Sequence, residues 1–227
     1  MAIVESARSS ASAAERVYQA LRDAIVEGRH PAGTMLGELT LASDLKVSRT
    51  PVRAALVRLQ SEGWIMIYPK RGALVQGVSD RARRDLADAR LVLESTSVGL
   101  ASPEVLERLV SALERSVERQ REALTAGDVR RYIDLTVAFH RHFVEVGNNG
   151  VLLELNDRLA DRQRFILFAA GERLYAEREK MIAEHHQLVL LLRAGDLSGF
   201  TDALREHIEH TYASPVPPLI FSRPVVG

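Results

Sequence analysis

Residues 41–56 read LASDLKVSRTPVRAAL, and this stretch decides the fold. Its apolar residues fall into two helical sets with a polar break between them. The spacing predicts a short helix from about Thr40 to Leu45 and a longer one from about Thr50 to Glu62. Ser48 stands where an N-cap is needed, Pro51 sits in the first turn, where its missing N–H matters least, and Gly63 is placed to stop the helix. Val52, Ala55, Leu56 and Leu59 make one apolar face, while Arg49 and Arg53, four residues apart, project from another. A helix N-terminus in a DNA major groove offers backbone N–H groups to phosphate. Ser48 and Thr50 add short hydroxyl donors there. Arginine pairs bidentately with guanine O6 and N7, so Arg49 and Arg53 are candidate base readers.

Working outward, Val17, Leu21, Ala24 and Ile25 predict a first helix from about Ala13 to Glu27, ended by Gly28 and followed by the turn Pro31-Ala32-Gly33. On the other side, Trp64–Tyr68 and Ala73–Gln76 flank Pro69-Lys70-Arg71-Gly72, which reads as a β-hairpin with a basic turn. Three helices followed by such a hairpin form the winged helix-turn-helix plan, with Lys70, Arg71 and Gly72 on the wing. The plainer alternative is a small three-helix domain whose arginines form a solvated face.

Beyond Asp80 every segment reads as helix, with six expected near 80–101, 103–125, 128–147, 150–170, 176–194 and 196–213. The fold class is therefore mainly α: residues 1–78 as the winged unit, 79–214 as an all-α bundle, and 215–227 as an extended, proline-containing tail. Leu106, Leu109, Val110, Leu113 and Val117 mark an amphipathic stripe in the second of these helices. The formal net charge is zero, but residues 1–78 hold 10 basic and 7 acidic residues, a net of +3, against 20 and 23, a net of −3, in the remainder. A basic reading head on an acidic partner domain fits that asymmetry. The absence of cysteine excludes disulfides, thiolate zinc sites and cysteine nucleophiles. Neither a signal peptide nor an apolar run of the roughly 18–20 residues that span a bilayer is found, so a cytoplasmic protein with no membrane partner is expected.

Six of the seven histidines lie from His140 onward. His140 shares a helical face with Ile133, Thr136, Val137 and Val144; His185 with Ile182, Val189 and Leu192; His207 with Phe200, Leu204 and Thr211. Three helices thus each turn one histidine inward, while His142 and His210 fall on solvent sides. A lone inward histidine is ordinarily a hydrogen-bonded core residue. Three together suggest a divalent cation, zinc or nickel, held by neutral imidazoles.

The wording of the first half resembles GntR-type regulators: ERVYQALRDAIVEGRHPAGTMLGE (15–38), LASDLKVSRTPVRAALVRLQSEGWI (41–65) and PKRGALVQGVS (69–79). The resemblance implies a homodimer on a pseudo-palindromic operator, contacted through Arg49, Arg53, Arg71 and Gly72. Two positions depart from the pattern. Lys46 replaces a usual turn glycine, and Leu39 stands where a basic residue is common.

The second half is similar to the FCD sensor domain, in DARLVLESTSVGLAS (88–102), AFHRHF (138–143), EHHQLVLLLRAGD (184–196) and a histidine eleven residues later. In metal-binding members the implied ligands are an acidic residue one turn before the first histidine, plus three histidines. These map to Thr136, a neutral replacement, and to His140, His185 and His207. Asp134 cannot substitute, lying about 240° around the helix from His140. Either a three-nitrogen site leaves positions open for water or an effector carboxylate, or the metal is lost and the histidines hydrogen-bond the effector.

The resemblance also suggests that Arg90 faces the cavity and pairs with an anionic effector, against the alternative of a surface ion pair with Glu94; Arg162 and Arg164 are further pocket candidates. The expected function is a ligand-responsive DNA-binding regulator, a repressor sensing a small organic acid, and no enzyme. Rival readings are a metal-dependent hydrolase, for which Glu184 points about 100° away from His185, and a constitutive DNA binder whose helical half only dimerises.

Overall fold

The computed structural model describes residues 12–212, and the chain divides between Gly77 and Val78 into two compact units. The Ala/Ser-rich lead and the tail expected from 215 lie outside the described residues.

The first unit contains α1 (Ala13–Val26), β1 (Met35–Leu36), α2 (Glu38–Asp44), α3 (Arg49–Ser61), β2 (Ile65–Tyr68) and β3 (Gly72–Val75). The apolar stripes of α1 and α3 meet: Val17, Leu21 and Ile25 pack with Val52, Ala55, Leu56 and Leu59, all essentially buried. Two polar links fix this pair. The Tyr18 hydroxyl donates to the Glu62 carboxylate at 2.8 Å, and the Arg58 guanidinium lies 3.6 Å over the Tyr18 ring. Gln60 Oε1 accepts from the Ile67 backbone N–H at 2.8 Å, tying α3 to the hairpin.

The helix ends follow from backbone geometry. Lys46 occupies the left-handed region at φ 53°, where Lys46 N–H reaches the Ser43 carbonyl and Val47 N–H reaches that of Ala42. This paired closure is the one glycine ordinarily supplies. A lysine takes it here at a conformational cost of roughly 1–2 kcal/mol.

The sheet is antiparallel in the order β1-β3-β2, with Tyr68 opposite Gly72 and Leu36 opposite Ala73. Strand β1 was not expected; two residues carry no alternation to read. Pro69 and Lys70 occupy the corners of the wing turn, closed by Arg71 N–H to the Tyr68 carbonyl, with Lys70 at φ 62°.

The second unit holds α4 (Asp80–Gly99), α5 (Pro103–Thr125), α6 (Val129–Glu145), α7 (Gly150–Ala169), α8 (Gly171–Ala176), α9 (Arg178–Arg193) and α10 (Leu197–Tyr212). The short α8 is an addition to the six expected helices, held by the buried Leu174. Side chains of Ser79, Asp128 and Asn149 cap α4, α6 and α7. Helix α6 is central, packing on α4, α5 and α7, while α9 packs on α5 and α10, and α10 returns to α4. Phe139, Phe143, Leu91, Leu113, Leu188, Phe200 and Leu204 form the fully buried middle. At the end of α6, Gly147 lies so close to Ser97 that an added Cβ would stand 2.9 Å from its backbone.

Gly72 adopts φ 117°, and a Cβ there would press on the Leu36 carbonyl oxygen. Its place on the wing therefore has a structural cause in the β1–β3 pairing. Gly72→Ala is expected to destabilise the first unit by about 1–3 kcal/mol. Urea unfolding followed by the fluorescence of Trp64, the chain's one tryptophan and buried in this unit, checks it; an unchanged midpoint contradicts the assignment.

Candidate functional site

In the winged unit, α3 starts at Arg49, and its N-cap Ser48 makes no side-chain capping bond. Thr50 is exposed in the first turn. Arg49 and Arg53 do not stand free. Arg49 Nη2 donates to Glu38 Oε2 at 3.1 Å, and Arg53 Nε donates to the same oxygen at 2.8 Å. One carboxylate at the start of α2 therefore sets the direction of two candidate base readers. Hydrogen bonds from Arg53 and Arg49 hold its pKa below the ordinary carboxylate value. Both arginine side chains remain more than half exposed, 52% and 58%, so the pairing leaves their outer faces open. With Leu39, Lys70, Arg71 and Gly72 they line one open groove of about 520 Å³. Glu38 escaped the sequence reading, because its partners are 11 and 15 residues away.

In the helical unit, His140 on α6, His185 on α9 and His207 on α10 converge, all buried. Nε2 of His207 lies 3.2 Å from Nε2 of His140 and 3.3 Å from that of His185, and the three candidate ligand atoms all fall within 4.8 Å of one another. Each ring has an acceptor behind it. His140 Nδ1 faces Glu94 Oε2 at 2.8 Å, His185 Nδ1 faces Gln120 Oε1 at 2.6 Å, and His207 Nδ1 faces Glu184 Oε2 at 2.8 Å. This network assigns the proton of each neutral ring to Nδ1 and leaves three Nε2 lone pairs aimed at one point.

A divalent cation fits that arrangement. Two nitrogens on one tetrahedral zinc ion lie about 3.4 Å apart, given bonds of 2.0–2.1 Å. The acceptors behind the rings match the outer-shell partners that orient metal-bound histidines.

Several sequence expectations change. Arg90 is no surface partner of Glu94. Both are buried, with Arg90 Nε donating to Glu94 Oε1 at 2.8 Å and Nη1 to the Tyr212 hydroxyl at 3.0 Å. Burial pushes Glu94 above its ordinary value, opposed by Arg90. Arg164 is bound at a half-exposed position to Asp134, at 3.1 Å, which takes its guanidinium to a salt bridge between α6 and α7 rather than to the histidines. The reason is that Asp134 lies off the inward face of α6, and Arg164 follows it. His210 is not simply a solvent-side residue: its Nδ1 meets Glu184 Oε1 at 2.9 Å and its Nε2 meets Glu177 Oε2 at 2.9 Å. Glu184 reaches the cluster through His207. It sits behind the ring, on the side away from Nε2, where it orients and does not face a reacting atom. Thr136 is buried one turn before His140; its hydroxyl makes no well-formed hydrogen bond, although it influences the Tyr132 phenol.

Glu94 and Gln120 had a readable signal. Each interrupts an apolar stripe, Glu94 between Leu91 and Val98 and Gln120 after Leu113 and Val117, with every member buried. What each one meets, 46 and 65 residues away, could come only from the packed bundle.

A winged helix with cations around one groove, joined in one chain to a helical bundle built around three imidazoles, defines a DNA-binding regulator with a separate sensing unit. Residues 13–75 match the bacterial regulatory proteins of the gntR family, and residues 85–210 match the FCD domain. The chain belongs to the GntR family of transcription regulators, in its FCD-domain group. It is 28% identical over 205 residues to the gluconate operon transcriptional repressor of Bacillus licheniformis, covering 88% of this chain and 84% of that protein. It is 25% identical to the HTH-type transcriptional repressor RspR of Escherichia coli K12, covering 86% and 85%. Among solved structures, E. coli McbR/YncC superposes with a TM-score of 0.69 at 26% identity, over 89% of this chain and 96% of that one. A GntR regulator from Rhodococcus sp. RHA1 shares the fold, with a TM-score of 0.73 at 22% identity over 88% and 95%. The relatives are transcription regulators. No helix among the described residues is long and apolar enough to cross a membrane.

The histidine cluster has a pH signature. Burial holds all three imidazoles well below their ordinary 6.5. The unfolded chain therefore takes up these protons first. Their contribution to stability is complete above about pH 6.5 and is lost as the pH falls below it, by up to about 1.4 kcal/mol per pH unit per histidine. Glu94, raised by burial, has the opposite sign and offsets part of this. The metal-free protein should show a falling melting temperature of its helical unit from pH 7 to 5.5, with a shallower slope for His185→Gln. Equal slopes for the two proteins contradict the assignment.

Proposed function

We propose that this protein is a homodimeric repressor whose winged units bind a pseudo-palindromic operator and whose helical units release it on binding a small organic acid. The observation that carries this reading is the grouping of Arg49, Arg53, Lys70 and Arg71 around one groove, with Glu38 orienting the first two. Guanidiniums held side by side suit guanine edges, and the wing cations suit phosphate. Ser48 and Thr50 complete the phosphate-facing turn. A two-fold operator requires two copies of the reading helix. Exposed Val92 on α4, with Val151 and Leu155 on the adjoining α7, supplies apolar surface for a second copy.

For the sensor we propose a divalent ion, zinc or nickel, on His140, His185 and His207. Such an ion would polarise and fix an effector oxygen. The chain's own residues supply the rest. Glu94, Gln120 and Glu184 hold the ring tautomers, and Arg90, bound to Glu94 behind His140, keeps Nη2 as a buried donor without a partner. Unpaired buried donors disfavour an apolar ligand and suit an oxygen-rich anion. The relative named for a gluconate operon agrees with a carboxylate effector. Against hydrolysis stands the position of Glu184 behind His207, away from the converging nitrogens.

Arg49→Ala and Arg53→Ala should each weaken operator binding by about 1–3 kcal/mol and relax base preference at one position per half-site. Gel-shift titration on the operator and on half-site variants reads both; unchanged affinity and selectivity in both variants would sink the base-reading role. For the metal, Thr136→Asp restores an anionic oxygen one turn before His140 and should tighten metal retention. Because binding to the native state stabilises it, the melting temperature of the loaded variant should rise above that of the parent. Elemental analysis with melting curves, with and without chelator, decides it. A parent without metal and without a thermal shift on zinc or nickel, unaltered by Thr136→Asp, rejects the ion and leaves the histidines as hydrogen-bonding groups for the effector.

A further inference from the structure

Leu39 is 68% exposed in the winged unit. A single exposed leucine means little by itself. This one follows Glu38, the carboxylate that gathers Arg49 and Arg53, and it lines the same groove as those arginines and the wing residues Lys70 and Arg71. Four cations decide what enters the groove, and a branched aliphatic group among them has nothing to offer a phosphate. On the floor of a DNA major groove the thymine C5-methyl is the apolar group that base edges present. The guanidiniums pinned by Glu38 suit guanine acceptors, and the exposed Leu39 beside them on the same groove is placed for a base pair next to theirs.

We propose that Leu39 is a specificity-determining residue that reads the C5-methyl of a thymine next to the bases contacted by Arg49 and Arg53. The inference rests on the operator-binding reading above. It assigns to Leu39 a contact that a basic side chain at the same position could not make. A basic side chain there favours phosphate or a guanine edge, whereas leucine selects a methyl. Because 5-methylcytosine carries its methyl at the equivalent ring carbon, it should partly replace the thymine.

The test uses the full chain and a duplex selected by it from a random pool, with each thymine replaced in turn by deoxyuridine, which lacks only the methyl. One thymine per half-site should lose about fourfold in affinity on demethylation, the worth of one buried methyl group. Leu39→Ala should bind the methylated and demethylated duplexes equally while keeping its guanine preference. If no deoxyuridine substitution weakens binding, or if the methyl effect persists in Leu39→Ala, the proposal is overturned while the arginine reading stands. A selection that returns no preferred sequence overturns the operator reading itself, and the proposal with it.

Discussion

Three imidazole rings in the helical unit turn the same nitrogen inward because each has an acceptor fixed behind it. Glu94, Gln120 and Glu184 face the three Nδ1 atoms at 2.6–2.8 Å, and the Nε2 atoms are left 3.2 and 3.3 Å apart along the two shorter edges. A buried polar atom without a partner costs about 1–3 kcal/mol. The arrangement therefore concentrates electron-pair density at one point inside an otherwise apolar bundle. Five helices are committed to it: α4 through Glu94, α5 through Gln120, α6 through His140, α9 through His185 and Glu184, and α10 through His207. Arg90 and Tyr212 extend the constraint, since the first supports Glu94 and the second supports Arg90. Moving any one of these helices alters the direction of a nitrogen in the cluster.

The winged unit uses the same economy on its surface. Glu38 gives two arginines a common anchor, yet leaves their outer edges in solvent. Such a pair retains little stability of its own, as exposed ion pairs generally do. Its effect is on direction: guanidiniums that share an acceptor are already ordered, which would lower the ordering cost of any ligand they bind. The wing is shaped by backbone rules instead. Lys70 at φ 62° makes the turn, and Gly72 lets β3 approach Leu36.

The cluster and the groove therefore rest on different physics. The cluster is buried, where charge is expensive and geometry must be complete. The groove is exposed, and its cations remain open to water. Hydrogen bonds along Glu184–His210–Glu177 carry the cluster's network outward, to His210 on α10 and to Glu177 just before α9.

The amino-acid sequence by itself determined the helices, the hairpin and the inward stripe that places each of the three histidines. Period and turn chemistry are local, and Ser48, Pro51, Gly63 and the Pro69–Gly72 turn act within a few residues of themselves. The resemblance to the GntR pattern, not periodicity, marked Lys46 as a residue in a glycine's place, and its left-handed backbone agrees. Pairings across the chain were decided only by tertiary structure. Glu38 with Arg49 and Arg53, Glu94 with His140, Gln120 with His185 and Glu184 with His207 each join separate helices. Helical periodicity fixes which face a residue occupies, but not which residue of another helix stands opposite. For that reason Arg90 read equally well as a surface pair or a cavity group, and Arg164 read as a pocket residue. Burial by α10 through Tyr212 set the first, and the exposed position of Asp134 set the second.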